Sequence, residues 1–131
     1  MPDSIALTVT LPATPAQVYD AWLNGPKHAA MTGAEATSSP EINGQFAAWD
    51  GYIWGHYVAL RVNEQITMAW KTAQFPAEAP FSRVSIALEA APKGTKLTLR
   101  HGNIPDGPGV LYKSGWKKHY FDPMKRYFSG K

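Results

Sequence analysis

The sequence contains no cysteine among its 131 residues, and this absence removes several kinds of chemistry at once. Disulfide bridges, thiol nucleophiles and cysteine-ligated metal sites are all excluded. No stretch approaches the roughly 18 consecutive apolar residues that a membrane-spanning helix needs. The N-terminus also lacks a basic region followed by an apolar run, which a secretory signal would show. We therefore expect a cytoplasmic protein without a membrane span.

The chain carries little excess charge overall, since its formal net charge is only +3. The last nineteen residues differ, because their several lysines and arginines are opposed only by Asp122. Such a cluster indicates either a solvated helix face or a contact surface for an acidic partner. Lys118, Lys125 and Arg126 are the candidates for that surface. No recognised nucleic-acid-binding module accompanies them, so we expect no nucleic-acid partner.

Aromatic side chains, in contrast, are abundant. Phe, Trp and Tyr make up 12% of the chain, with five Trp and six Tyr. Aromatic residues bring a large buried area together with a polar handle, which suits a stiff core or a ligand cavity. The hydrophobic share of 44% and the charged share of 18% are typical of a globular chain. The length fits a single domain over residues 1–131.

Periodicity predicts strands and two short helices. Residues 4–11 alternate apolar and polar, as a half-buried strand does. Thr14-Pro15-Ala16-Gln17 then carries the signals of a helix start, and a shorter helix is predicted over residues 27–31. Hairpin patterns follow, with predicted strands at residues 45–49, 54–62, 66–71, 83–89 and 96–101. Both faces of the predicted strand at residues 54–62 carry apolar residues, so the sequence leaves open whether His56 or Tyr57 points into the core.

The C-terminal segment is predicted to cover the dry face of this sheet. An aromatic stripe at helical spacing runs from Tyr112 to Phe128, after a loop at residues 102–109. His119 falls on the polar side of the same helical wheel. Pro123 lacks a backbone N–H, so we expect a bend where it interrupts the pattern. The element order predicts an α+β fold with a meander sheet.

Several short motifs occur along the chain in an order that matches a known superfamily. They are Val18-Tyr19-Asp20-Ala21-Trp22, Gly25-Pro26, Gly44-Gln45-Phe46, the segment 66–70 and Gly115-Trp116. In this order they resemble the START-like (SRPBCC, birch-pollen-allergen-like) superfamily, and within it the activators of the heat-shock protein 90 ATPase. The resemblance implies a helix-grip fold, in which a curved antiparallel meander sheet wraps a long C-terminal helix and two short helices follow the first strand. It also implies a cavity between sheet and helix that usually binds something apolar.

Sheet and helix residues around such a cavity are the candidates for ligand binding. They are Trp49, Met68, Trp70, Leu99, His101, Tyr112, Trp116, Tyr120 and Met124. His101 shares the dry face of its strand with Leu99, so it is either a histidine at the edge of the core or a polar group at the cavity mouth. The four histidines lack metal-ligand spacing, so we expect no metal and no cofactor.

Three hypotheses about function follow. The leading one is a binding module for a small hydrophobic or aromatic molecule. The resemblance suggests a second, a regulator that acts through its surface on a heat-shock chaperone ATPase. The third is a cyclase- or dehydratase-like enzyme that uses His101 as acid and base, and it requires His101 to face an open pocket. No paired carboxylates, Ser-His-Asp order or phosphate loop accompany His101, so a non-enzyme is favoured.

Overall fold

The computed structural model describes residues 3–73, 75, 79–104 and 109–129. Its strands are β1 (Asp3–Leu11), β2 (Thr37–Ser38), β3 (Gln45–Ala48), β4 (Ile53–Arg61), β5 (Gln65–Thr72), β6 (Ser82–Ala91) and β7 (Gly94–Ile104). Its helices are α1 (Pro15–Leu23), α2 (Gly25–Thr32), α3 (Gly109–Trp116) and α4 (Asp122–Phe128), with a π-helical turn (Lys117–Phe121) between the last two. The α+β prediction is confirmed.

All seven strands form one antiparallel sheet in the order β1-β7-β6-β5-β4-β3-β2. Strands β2 to β7 follow one another as a meander, and β1 adds to the far side of β7. The two C-terminal helices lie against β1, and α1 and α2 follow β1 as the two predicted short helices. This is the curved, helix-gripping sheet that the resemblance implied.

The dry faces of the predicted strands form the core. Leu7, Val9 and Leu11 of β1 are buried, and so are Val84, Ile86 and Leu88 of β6. Alternate residues such as Thr8 and Thr10 are exposed, which confirms a sheet covered on one side. Within the described part of the chain, no helix has the length and apolar character needed to cross a membrane.

Caps and turns explain where several elements begin. Thr14 Oγ1 accepts from the Gln17 amide at 3.1 Å, and the Thr14 amide donates to Gln17 Oε1 at 2.9 Å. This reciprocal pair is the capping box that the sequence predicts. The predicted second helix is longer at both ends, because Asn24 caps it at 3.0 Å from the Lys27 amide and Gly33 ends it at φ 83°.

Strand β4 resolves the facing that the sequence left open. Tyr57 points into the core and is 1% exposed, whereas Trp54 lies on the outer face of the sheet and is 38% exposed. His56 shares the outer side and contacts the ring of Phe81. The strand carries an irregularity in its pairing between Tyr57 and Ala59, which explains why no clean alternation is visible.

A few segments differ from prediction. The two-residue strand β2 was not predicted, because two residues show no periodicity. Strand β7 runs on to Ile104, so the predicted loop begins later than expected. The remainder of that loop (105–108), and most of the predicted loop at 74–80, lie outside the described residues.

The interruption expected at Pro123 takes the form of a wider helical turn. The Asp122 amide donates to the Lys117 carbonyl, a spacing of five residues in place of four. Phe121 and Asp122 keep right-handed helical backbone angles, and Pro123 lies in the first turn of α4. A proline is tolerated there because the first-turn amides have no partner within the helix.

Candidate functional site

The structure contains a cavity of about 460 Å³ between the sheet and the C-terminal helices, partly open to solvent. We call it the aromatic cavity. Its walls are Trp49, Tyr52, Ile53, Trp70, Thr72, Tyr112, Gly115, Trp116, His119 and Tyr120. This volume falls in the range of roughly 300–1,000 Å³ that small-molecule sites occupy.

One wall of the aromatic cavity is a single face of α3 and the π-helical turn. Tyr112, Trp116 and Tyr120 follow one another at four-residue spacing, which places their side chains along one side of a helix. The rings of Trp116 and Tyr120 are 5.0 Å apart, and Trp116 packs at 5.3 Å on Trp70 of the sheet. Such ring pairs hold the wall in one arrangement.

Trp49 stands opposite this wall in an unusual backbone conformation. Its φ is 53°, in the left-handed region that bulky side chains rarely adopt. The following Asp50 and Gly51 also have positive φ, as the Asp-Gly turn predicts, but no sequence pattern predicts a positive φ for Trp49 itself. Strained backbone of this kind is concentrated at functional sites.

The left-handed Trp49 and the π-helical turn meet at the aromatic cavity. The Trp49 ring lies 5.2 Å from the ring of His119 and 6.4 Å from that of Tyr120, edge to face in both cases. Its indole nitrogen is buried and makes no well-formed hydrogen bond within the described part of the chain. π-Helical turns are rare and frequently occur at functional sites. Two departures from regular backbone therefore border the same space.

Besides the Trp49 indole, the polar groups of the described wall are hydroxyls and one imidazole. The hydroxyls of Thr72 and Tyr112 are 3.2 Å apart, and burial raises the pKa of Tyr112 above its ordinary value. Tyr52 adds a hydroxyl at the exposed rim, and His119 adds the imidazole. The described wall contains no Asp, Glu, Lys or Arg.

Behind the wall, His101 is enclosed in a complete hydrogen-bond chain. The Trp116 indole N–H donates to His101 Nδ1 at 3.1 Å, so the ring proton lies on Nε2. His101 Nε2 then donates to Ser82 Oγ at 2.8 Å, and the Ser82 hydroxyl donates to the Trp70 carbonyl at 2.7 Å. The ring is 0% exposed, and burial lowers the pKa of His101 to about 3. It is a neutral, fully partnered core group.

A second buried histidine fixes Tyr120. His28 Nδ1 donates to the Trp22 carbonyl at 3.0 Å, which leaves Nε2 to accept from the Tyr120 hydroxyl at 3.0 Å. Burial lowers the pKa of His28 and raises that of Tyr120. Nearby, the hydroxyls of Tyr57 and Ser38 are 2.6 Å apart, and burial raises the pKa of Tyr57 to about 12. These pairs stay uncharged and hold the floor beneath the cavity.

The structure separates the nine ligand-binding candidates into two groups. Trp49, Trp70, Tyr112, Trp116 and Tyr120 surround the aromatic cavity. The others differ from the expectation, since none of them lies in its wall: they are Met68, Leu99, His101 and Met124. Each is at most 1% exposed and is packed in the hydrophobic core.

Burial of His101 also bears on the enzyme hypothesis. That hypothesis requires the imidazole to face an open pocket, and the structure encloses it instead. Both ring nitrogens are already engaged, so neither is available to a substrate. The condition for His101 as acid and base is not met.

Sequence reasoning missed five wall residues: Tyr52, Ile53, Thr72, Gly115 and His119. His119 was placed on the polar side of a regular helical wheel. His119 is exposed, but it also lies at the cavity rim, because it follows Tyr112 by seven residues and Gly115 by four and therefore shares their side of the helix. No periodic pattern signals the π-helical turn, although Pro123 marks where regularity ends.

The partner-surface candidates lie on the outer side of the C-terminal helices. Lys118, Lys125 and Arg126 are exposed, and none is in an ion pair with a residue that the structure describes. The described residues also contain no cluster of three or more metal-ligating side chains.

Comparison with known sequences identifies related proteins. The profile of the family described as Activator of Hsp90 ATPase homolog 1-like protein matches residues 12–129. The human protein named Activator of 90 kDa heat shock protein ATPase homolog 1 is 26% identical over 124 residues, 95% of this chain and 36% of that protein. The mouse protein named Activator of 90 kDa heat shock protein ATPase homolog 2 is 32% identical over 90 residues, 69% of this chain and 27% of that protein. The chain therefore spans about a third of these relatives' length.

Comparison with solved structures supports the same fold. An HSP90 activator from Plasmodium falciparum superposes with a TM-score of 0.83 at 24% identity. The match covers 97% of this chain and 96% of that one, so the likeness extends over the whole architecture.

Proposed function

The chain belongs to the family of Activator of Hsp90 ATPase homolog 1-like proteins, as its motifs implied, and from this premise we propose that it is a binding module for a small hydrophobic or aromatic molecule. The observation that carries this proposal is the aromatic cavity, a space of about 460 Å³ that the described side chains leave unfilled. Aromatic walls with a few convergent hydroxyls are the usual form of a small-molecule site.

The strain at Trp49 supports the same function. A bulky residue at φ 53° carries an unfavourable conformation that nearby packing has to offset, at roughly 1–3 kcal/mol. In return, the indole ring forms one side of the aromatic cavity.

Binding of a neutral fluorescent probe to the native protein tests the proposal. We expect N-phenylnaphthylamine to gain emission on addition of folded protein and to shift the emission of the wall tryptophans Trp49, Trp70 and Trp116. Trp49→Gly, which fits positive φ, should weaken the binding, because it removes one wall. Trp54→Ala is the matched control, since Trp54 lies on the other face of the sheet. A native protein that leaves the probe in water would contradict the proposal.

A second function is favoured by the family and by the exposed cations. We propose that the chain regulates a heat-shock protein 90 type ATPase through the surface that carries Lys118, Lys125 and Arg126. Two of the relatives reported above are named as activators of that ATPase. This chain spans about a third of their length, so the proposal concerns the part of those proteins that it matches.

The ATPase rate of purified heat-shock protein 90 tests this second function. Addition of the chain should change the rate, and replacing Lys118, Lys125 and Arg126 by Glu should abolish the change. Replacing Lys93, Lys96 and Arg100 by Glu alters the net charge equally at exposed positions of the β6–β7 turn and strand β7, so it is the matched control. If both triple variants behave alike, net charge and not this surface is responsible.

A further inference from the structure

Most described glycines have a local reason to be glycine. At Gly55 an added Cβ would lie 1.9 Å from the Ala69 carbonyl oxygen, and at Gly94 it would lie 2.0 Å from that of Leu11. Gly33 and Gly51 have positive φ, which favours glycine over any side chain. Each of these four residues is explained by the backbone around it.

Gly115 has no such reason. It lies in α3 without a positive φ, and the nearest atom to an added Cβ would be His119 Cδ2 at 4.0 Å, an ordinary contact. Glycine is a poor helix former, and alanine at an equivalent position would stabilise the helix. Neither strain nor crowding accounts for this glycine.

What distinguishes Gly115 is its place in the wall of the aromatic cavity. It stands beside Trp116 and one turn from both Tyr112 and His119, all three of which line the same space. A side chain at this position would project from α3 into the cavity. Its absence leaves a flat patch of helix backbone between aromatic neighbours.

We propose that Gly115 determines specificity, because its missing side chain lets a flat, uncharged aromatic ligand lie against the backbone of α3. The proposal rests on the binding function proposed above and names the ligand class. The described wall offers ring faces from Trp49, Trp70 and Trp116. It offers no Asp, Glu, Lys or Arg, and its one imidazole, that of His119, lies at the exposed rim, so a charge on the enclosed part of a ligand would have no partner, which is unfavourable. The hydroxyls of Thr72 and Tyr112 can meet a single polar substituent.

Variants at Gly115 make stability and binding change in opposite directions. The probe is naphthol, which displaces bound N-phenylnaphthylamine, and naphthalene sulfonate is its charged counterpart. Gly115→Ala should raise the melting temperature by a few degrees and weaken naphthol binding. Gly115→Leu should weaken it by roughly tenfold or more, because extra carbons occupy the space of the ring. Ser114→Ala is the control: Ser114 is exposed on the same helix, so this change should raise the melting temperature without affecting affinity.

The outcomes distinguish the role proposed for Gly115 from the binding function on which it rests. If the wild-type protein binds neither naphthol nor N-phenylnaphthylamine, the binding function itself is wrong. If wild-type binds naphthol and both Gly115 variants bind it equally well, only the role of Gly115 is overturned. If naphthalene sulfonate binds as tightly as naphthol, the ligand class is wrong. Gly115→Ala carries the test should Gly115→Leu fail to fold.

Discussion

At the scale of single residues, both buried histidines are held in hydrogen-bonded networks. His101 accepts a hydrogen bond from the Trp116 indole N–H and donates one to the Ser82 hydroxyl, which in turn donates to the Trp70 carbonyl. Every donor in this hydrogen-bond network has an acceptor, and the imidazole stays neutral. Buried networks of this kind are favourable only while every member is satisfied. His101 is therefore a residue on which stability depends.

Removal of the middle hydroxyl should reveal that dependence. Ser82→Ala leaves both His101 Nε2–H and the Trp70 carbonyl without their buried partner. We expect the free energy of unfolding to fall by about 1–3 kcal/mol, measured by urea denaturation. Ser85→Ala on the same strand is the control, because Ser85 is half-buried on the outer face with one long contact of 3.4 Å to Gln65. Equal effects of the two substitutions would show that the network adds no stability.

The two buried histidines should make stability fall in mild acid. An unfolded histidine takes up a proton as pH falls through about 6.5, but the folded pKa of His101 is about 3 and that of His28 is also lowered. Below pH 6.5 the unfolded state thus binds more protons than the folded one. Stability should decline as the pH falls below 6.5, by up to about 1.4 kcal/mol per pH unit from His101 down to about pH 3 and with a further loss from His28, and it should stay level between about pH 7 and pH 9.

Urea denaturation at a series of pH values measures this slope, and proton NMR of the histidine rings assigns it. The His101 ring signals should stay at their neutral position down to pH 4. A midpoint for His101 at its ordinary value of 6.5 would contradict the enclosed, neutral imidazole.

At the scale of elements, the C-terminal helix combines two regular segments with an irregular one where the cavity lies. Within the π-helical turn His119 lies at the rim, while Tyr120 and Phe121 stay buried. Pro123 follows directly, in the first turn of α4, where its fixed φ suits a helix start. The proline is thus accommodated, and the irregularity before it shapes the wall.

Substitution of Pro123 distinguishes accommodation from strain. If the proline suits its position, Pro123→Ala should lower the free energy of unfolding by about 0.4–1 kcal/mol, because the unfolded chain gains freedom, with some further loss of packing. A proline that breaks a regular helix costs about 3 kcal/mol, so its removal would stabilise the protein instead. Thermal or urea unfolding gives the sign. Lys125→Ala, at an exposed position of α4, is the control for unrelated changes in the helix.

At the scale of the whole molecule, the sequence predicts the architecture better than the site. Alternation in residues such as Val84, Ile86 and Leu88 depends on burial alone, which a two-residue period records directly. The cavity wall depends on backbone departures that periodicity does not carry: the left-handed φ of Trp49 and the π-helical turn. Regular patterns therefore identify Tyr112, Trp116 and Tyr120, whereas the places of His119 and Gly115 in the cavity wall are seen only in the structure.

The surface that carries Lys118, Lys125 and Arg126 shares no residue with the described wall of the aromatic cavity, and this predicts that the two regions act independently. A ligand that binds only the folded state raises stability by about 2.7 kcal/mol at a hundred times its dissociation constant. N-Phenylnaphthylamine at that excess should therefore raise the melting temperature by several degrees, measured by calorimetry. Replacement of Lys118, Lys125 and Arg126 by Glu should leave this rise unchanged, because those side chains are outside the cavity wall.

Trp49→Gly should reduce the rise while leaving any effect on the chaperone ATPase intact. A charge reversal that abolished the rise in melting temperature would show that the two regions are one site.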